Sequence, residues 1–178
     1  MNLKEKQINA EYLYKGKIIN LRVDNALLPN GKTATREVVE HGGDVAVLPL
    51  TENNEILMVE QFRYPYMETV LEIPAGKRDK AEEPLRCGIR ELKEETGATA
   101  ESFKSLGELY PSPGYCGEII HMFLATGLTY GDTNPDEDEF LNVKKVPLEK
   151  AVQMVMCGEI KDAKTIAAIL KTKNLLDK

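Results

Sequence analysis

The chain has 178 residues, 42% hydrophobic and 29% charged, enough for one domain with a core plus a small appended element and too few for two full domains. Its net charge of −6, from 23 basic and 29 acidic residues, argues against a general nucleic-acid binder, which carries a basic surplus. No stretch approaches the roughly eighteen consecutive apolar residues of a membrane span and the N-terminus lacks a signal-like apolar segment, so a cytoplasmic location without a membrane partner is expected.

The first half reads as strands. Ile18 to Val23 is apolar at nearly every position, and Pro29-Asn30-Gly31-Lys32 is turn chemistry, so the return run Thr35 to Glu40 completes a predicted hairpin. Gly42-Gly43 breaks the pattern and marks a boundary between an N-terminal β-element, residues 1–42, and a main domain, residues 43–178. Val45 to Leu50 and Ile56 to Phe62 are further strands around a turn at Thr51–Asn54. A helix is predicted over Glu82–Thr96, with Pro84 in its first turn and Gly97 just past its end. Strand-like runs follow at Phe103–Tyr110 and Ile119–Ala125, then an acidic stretch, Gly131–Glu139. Two more helices follow, Pro147–Cys157 and Ala163–Lys173, the second capped by Asp162 and with Ile166, Ile169 and Leu170 on one face. The order of elements predicts an α/β fold, a mixed sheet covered by helices. Phe62 and Met122 read as core. Cys87, Cys116 and Cys157 have no metal-ligand spacing and read as free thiols.

The chemistry concentrates on the first helix. Glu91, Glu94 and Glu95 stand at i, i+3 and i+4, so their carboxylates are neighbours on one face, while Leu85, Ile89 and Leu92 are expected to face the core. Like charges at that spacing repel, and a hard cation reverses the sign by binding the carboxylate oxygens. Arg90 is placed to hold one of these carboxylates. The preceding loop, Ile73-Pro74-Ala75-Gly76, has a glycine that lets the backbone approach a ligand, and mid-helix Gly88 points to close packing on another element.

Gly76 to Ala98 resembles the Nudix box, G-x5-E-x7-R-E-U-x-E-E-x-G-U, at all nine specified positions in 23 residues; Ala98 is smaller than the usual aliphatic. The resemblance implies a Nudix α/β/α sandwich with metal, Mg²⁺ or else Mn²⁺, held by Glu91, Glu94, Glu95 and the Ala75 carbonyl. Pro113, sixteen residues beyond Gly97, resembles the marker of the ADP-ribose pyrophosphatase branch of this family. Thr35–His41, Gln61–Tyr64 and Leu71–Gly76 also look like that branch. It implies Arg36 and Arg63 at the substrate phosphates or ribose, Glu72 near the adenine, and Glu118 as a further substrate-binding residue. The acidic loop Asp136–Glu139 resembles the one that delivers a catalytic glutamate, with Glu139 the first choice of base and Glu137 the second. Glu94 and Arg90 complete the catalytic set.

The branch also implies a homodimer built through the N-terminal strands. The expected reaction is hydrolysis of ADP-ribose to AMP and ribose 5-phosphate. The alternatives are the same chemistry on another nucleoside diphosphate sugar or dinucleotide, and a binding regulator without turnover.

Overall fold

A computed structural model of the chain describes residues 2–132 and 140–178. The chain divides into two compact units, one holding the chain up to Gly43 together with Tyr110–Ile119, the other Asp44–Leu109 and Ile120–Lys178. The candidate bases Glu137 and Glu139 lie outside the described residues.

The first unit is an antiparallel sheet of β1 (Lys6–Lys15), β2 (Ile19–Leu27) and β3 (Thr33–His41), in that order. The predicted hairpin is β2–β3, in register from Ile19 opposite His41 to Leu27 opposite Thr33. Its turn closes where the Gly31 amide donates to the Leu28 carbonyl at 3.0 Å, with Gly31 at φ +80°, a conformation only glycine enters at no cost. The sequence reading missed β1, although Ile8, Ala10, Tyr12 and Tyr14 alternate with the period of a strand. All ten of its residues are exposed. Segment 110–119 joins this unit through Val39, whose amide donates to the Tyr115 carbonyl at 2.8 Å and whose carbonyl accepts from Gly117 at 2.9 Å.

The second unit is built on β4 (Asp44–Pro49). It runs parallel to β9 (Ile120–Tyr130) and antiparallel to β7 (Ala75–Lys77), and β8 (Ala98–Leu109) pairs with the far edge of β9. A second antiparallel sheet has the order β10 (Leu141–Pro147), β5 (Glu55–Arg63), β6 (Glu68–Glu72). Three helices complete the unit: α1 (Pro84–Thr96), α2 (Leu148–Met156) and α3 (Ala163–Leu176).

The unbroken apolar run in β4 has its explanation here, because the strand is covered on both faces. Val45 and Val47 belong to a core with Cys87 and Leu92 of α1, whereas Ala46 and Leu48 belong to one with Ala151 of α2 and Ile169 of α3. Helices on both sides of a mixed sheet make the expected α/β/α sandwich, with the small antiparallel β-element as the first unit.

Some expected faces are turned. Leu92 is fully buried, but Leu85 and Ile89 are about two-fifths exposed. The side of α1 that meets the sheet carries Cys87, Gly88, Glu91 and Glu95 as well as Leu92, so it includes carboxylates that a hydrophobic pattern assigns to solvent. In α3 the buried face is Thr165, Ala168, Ile169 and Thr172, and Leu170 is exposed. Phe62 is half exposed near the end of β5, whereas Met122 is core as expected.

Candidate active site

The helix α1 begins and ends as its sequence dictates. Pro84 occupies the first turn, where its missing N–H costs nothing, and Gly97 at φ +68° closes the last turn by donating its amide to the Lys93 carbonyl at 2.8 Å. A Cβ on Gly88 would stand 3.1 Å from methyls of both Val45 and Val47, so this glycine sets how closely α1 lies on β4. That close approach brings the inner face of α1 to the loop that follows β6.

Two of the three helix carboxylates are thereby taken out of water: Glu91 is 7% and Glu95 3% exposed. The Ala75 amide donates to Glu95 Oε2 at 3.2 Å, tying the loop to the helix. The Glu91 carboxylate lies directly against the Cα of Gly76, in the space a Cβ would fill. This is the physical reason for glycine at the start of the box.

Arg90 gathers the rest. Its Nη1 lies 2.7 Å from Glu91 Oε1 and 2.9 Å from Glu94 Oε2, and its Nε and Nη2 donate to the two oxygens of Glu82 at 3.2 and 3.1 Å. The guanidinium also donates to the Lys77 carbonyl at 3.2 Å, so it braces the loop as well as the carboxylates. The bonds from Arg90 hold the Glu82 carboxyl below its usual range. Cys87 lies beneath, where burial and the neighbouring Glu82 and Glu91 push its thiol up to about 12, so it is an inert packing group.

Three carboxylates share a single guanidinium, and Glu95 adds a fourth negative charge beside them. Carboxylates at this spacing repel one another, and their oxygens match the ligand chemistry of a hard divalent cation. Glu91, Glu94, Glu95 and the Ala75 carbonyl offer oxygen donors alone, the donor type such an ion takes.

A second cluster abuts the first. Arg63 at the end of β5 is bidentate on Glu72 at the end of β6, with Nε to Oε1 at 2.7 Å and Nη2 to Oε2 at 2.8 Å. The guanidinium stays 38% exposed, and its basicity is raised first by the bonds to Glu72 and also by the charges of Asp162 and Glu95. Arg63 thus lies within the field of the carboxylate helix. Glu72 is 2% exposed. Burial pushes its carboxyl up, yet Arg63 and Lys164 outweigh this and hold it below the ordinary carboxylate range. Lys164, which sequence reasoning passed over, is itself 9% exposed with Nζ 2.5 Å from Glu72 Oε2. Its one sequence signal is its place two residues after a helix-capping aspartate.

Ala75, Arg90, Glu91, Glu94, Glu95, Arg63 and Glu72 are therefore brought together in the second unit. Arg36 and Glu118 belong to the first unit. There the Arg36 guanidinium is bidentate on Glu5, with bonds of 3.0 and 2.6 Å. A Glu118 oxygen lies 3.7 Å from His41 Nδ1.

Gly76→Ala tests the close approach. The clash is with the movable end of a side chain, so a stability loss of about 1 kcal/mol or less is expected, below the usual cost of overpacking. Turnover should nevertheless fall at least tenfold, because Glu91 is displaced. Thermal unfolding and steady-state rates on the same preparation check this; full activity would show that the place of Glu91 is not critical.

Comparison with known proteins agrees with this geometry. Residues 40–169 match the NUDIX domain, and residues 5–39 match the nucleoside diphosphate sugar hydrolase N-terminal domain. The chain is 48% identical over 170 residues to an ADP-ribose pyrophosphatase of Bacillus subtilis (strain 168), covering 94% of this chain and 92% of that one. It is 42% identical over 167 residues to a methanol dehydrogenase activator of Bacillus methanolicus, covering 93% and 90%. Its fold superposes on a crystal structure of an ADP compounds hydrolase with a TM-score of 0.87 at 20% identity, covering 99% of this chain and 97% of that one. With a complete box, an acidic cluster folded around one arginine and a family match over most of its length, the chain belongs to the NUDIX family, in the branch that includes the ADP-ribose pyrophosphatases, and is a pyrophosphohydrolase.

Proposed function

We propose that this enzyme hydrolyses ADP-ribose to AMP and ribose 5-phosphate, using Mg²⁺, or Mn²⁺ in its place, held by Glu91, Glu94, Glu95 and the Ala75 carbonyl. The observation that carries the reading is the juxtaposition of a carboxylate cluster gathered on Arg90 with a partly exposed arginine, Arg63. A diphosphate carries charge that a guanidinium fork and a bound cation neutralise together. When bound, such a cation would supply Lewis acidity and lower the pKa of water.

The chain's own residues do the remaining work. Glu72 occupies Nε and one N–H of Nη2 of Arg63, so the remaining N–H groups of that guanidinium are turned toward a phosphate oxygen. In this reading Glu72 serves the substrate by aiming Arg63. Arg90 holds Glu91 and Glu94 at fixed separation from Gly76. Glu139, with Glu137 as the second choice, accepts the proton of the attacking water. Arg36 and Glu118 contribute to substrate binding.

The deciding experiment is a panel of ADP-ribose, GDP-mannose, UDP-glucose and NADH with Mg²⁺, Mn²⁺ or EDTA, scored by product chromatography. ADP-ribose is expected to give AMP with the highest kcat/KM and no turnover in EDTA. A different preferred nucleotide sugar or dinucleotide would replace the substrate, and binding without any hydrolysis would point to a regulator.

The same reading includes a homodimer formed through residues 1–42. An exposed strand, β1, carries Ile8, Tyr12, Leu13 and Tyr14, all 44% exposed or more. A small sheet with that much apolar surface in water is expected to pair with something larger. Sedimentation at micromolar concentration should give twice the 19.9 kDa chain mass. A fully active monomer would remove the idea.

A further inference from the structure

Resting on the reading of Arg63 as the phosphate-binding residue, we propose that Lys164 is a positioning residue for the reaction. Together with Asp162 and Thr165 in the first turn of α3, it clamps the Glu72–Ile73 segment and thereby aims Arg63 and seats the Ala75 loop.

The clamp has two jaws. One is ionic: Lys164 Nζ lies 2.5 Å from Glu72 Oε2 and 3.0 Å from Asp162 Oδ1, with the lysine almost completely out of water. The other is a hydrogen-bonded backbone contact: the fully buried Thr165 Oγ1 accepts the Ile73 amide at 2.9 Å. That hydroxyl in turn donates to Asp162 Oδ2 at 2.5 Å, and the same oxygen caps α3 by accepting the Thr165 amide at 3.0 Å. One aspartate thus orients both jaws and starts the helix that carries them.

Its consequence runs along the chain. Glu72 is fixed by the lysine on one oxygen and presents both oxygens to Arg63. Next to it, Ile73 is pinned by Thr165. Two residues further, Ala75 donates its amide to Glu95. The phosphate arginine and the carboxylate helix are therefore referenced to the same rigid point, a helix N-terminus about ninety residues away in sequence.

A buried ammonium committed to two carboxylates is a costly element, retained here where it fixes geometry. For packing alone, an apolar residue of similar length fills the same space. Lys164 reaches Glu72 and Asp162, so its effect on Arg63 passes through Glu72.

A double-mutant cycle between Lys164→Met and Glu72→Gln tests this. The readouts are steady-state hydrolysis and, independently of the metal, ADP-ribose binding by calorimetry in EDTA. Lys164→Met is expected to raise KM and weaken binding in EDTA at least tenfold, while kcat falls less than threefold. Lys164→Arg should restore both to within about threefold of wild type. In the double variant, Lys164→Met should add less than twofold to the loss from Glu72→Gln. Additive losses would mean that Lys164 meets the substrate itself, and wild-type kinetics for Lys164→Met would make it a packing residue; either overturns the proposal. If Lys164→Met does not fold, Lys164→Gln, which keeps a donor for Glu72 without the charge, takes its place in the cycle under the same criteria. Failure of the wild type to bind or hydrolyse ADP-ribose would overturn the substrate reading instead. The cycle is then read on the nucleotide sugar that the wild type does hydrolyse.

Discussion

Glu95→Gln is expected to lower kcat by about 10²–10³-fold while the protein stays folded. Loss of a ligand to a catalytic cation removes several kcal/mol of transition-state charge stabilisation, and each 1.4 kcal/mol is tenfold in rate. The fold survives because glutamine keeps an oxygen that accepts the Ala75 amide, a bond that ties the loop to the helix. Stability without added metal should even rise. Glu91 and Glu94 stand four and one residues before Glu95 on α1 and share Arg90, and relieving a like-charge neighbour is worth a few tenths of a kcal/mol. For a chain of this size that corresponds to an increase of about 1–2 °C in Tm. Melting curves with and without Mg²⁺ carry the diagnosis: the wild type should gain stability on adding Mg²⁺ and the variant much less. A variant with unchanged Mg²⁺-dependent turnover would sink the assignment of the carboxylates to metal.

Glu139→Gln should reduce kcat by roughly 10²–10⁴-fold, the range for loss of a general base, with KM nearly unchanged. Metal affinity should also hold, because the proposed ligands are on α1 and its preceding loop. Glu137→Gln is expected to stay close to wild type, since one base suffices to take one proton. The measurement is a pair of kcat and KM determinations at saturating Mg²⁺, with Mg²⁺ titrations alongside. A reversed pattern transfers the role to Glu137. Equal, mild effects would mean that the attacking water needs no side-chain base, leaving the helix carboxylates as the whole apparatus.

The local elements were legible because their signals are local. Pro84 and Gly97 mark the ends of α1 through φ preferences and a missing N–H, which need no partner. Asp162 caps α3 within three residues of itself, and Pro29-Asn30-Gly31 turns the β2–β3 hairpin. The spacing of Glu91, Glu94 and Glu95 puts three carboxylates on one helical face wherever that helix lies, so the acidic site was readable before any fold. Gly88 signalled a close contact, though not that Val45 and Val47 are what it meets.

Tertiary structure decided which way those faces turn and what neutralises them. Periodicity placed Leu85 and Ile89 inward, but the packing of α1 on β4 buries Glu91 and Glu95 and leaves those two apolar residues partly in water. Side-chain pattern records average hydrophobicity, and it cannot register that a buried carboxylate is compensated by a guanidinium or a loop amide. The pairing of Arg63 with Glu72 joins residues nine apart across a strand pair, and Lys164 reaches Glu72 from ninety-two residues away. Such charge partners are fixed by where β6 and α3 meet. A lysine in a helix reads as a solvated surface group until the fold removes its water.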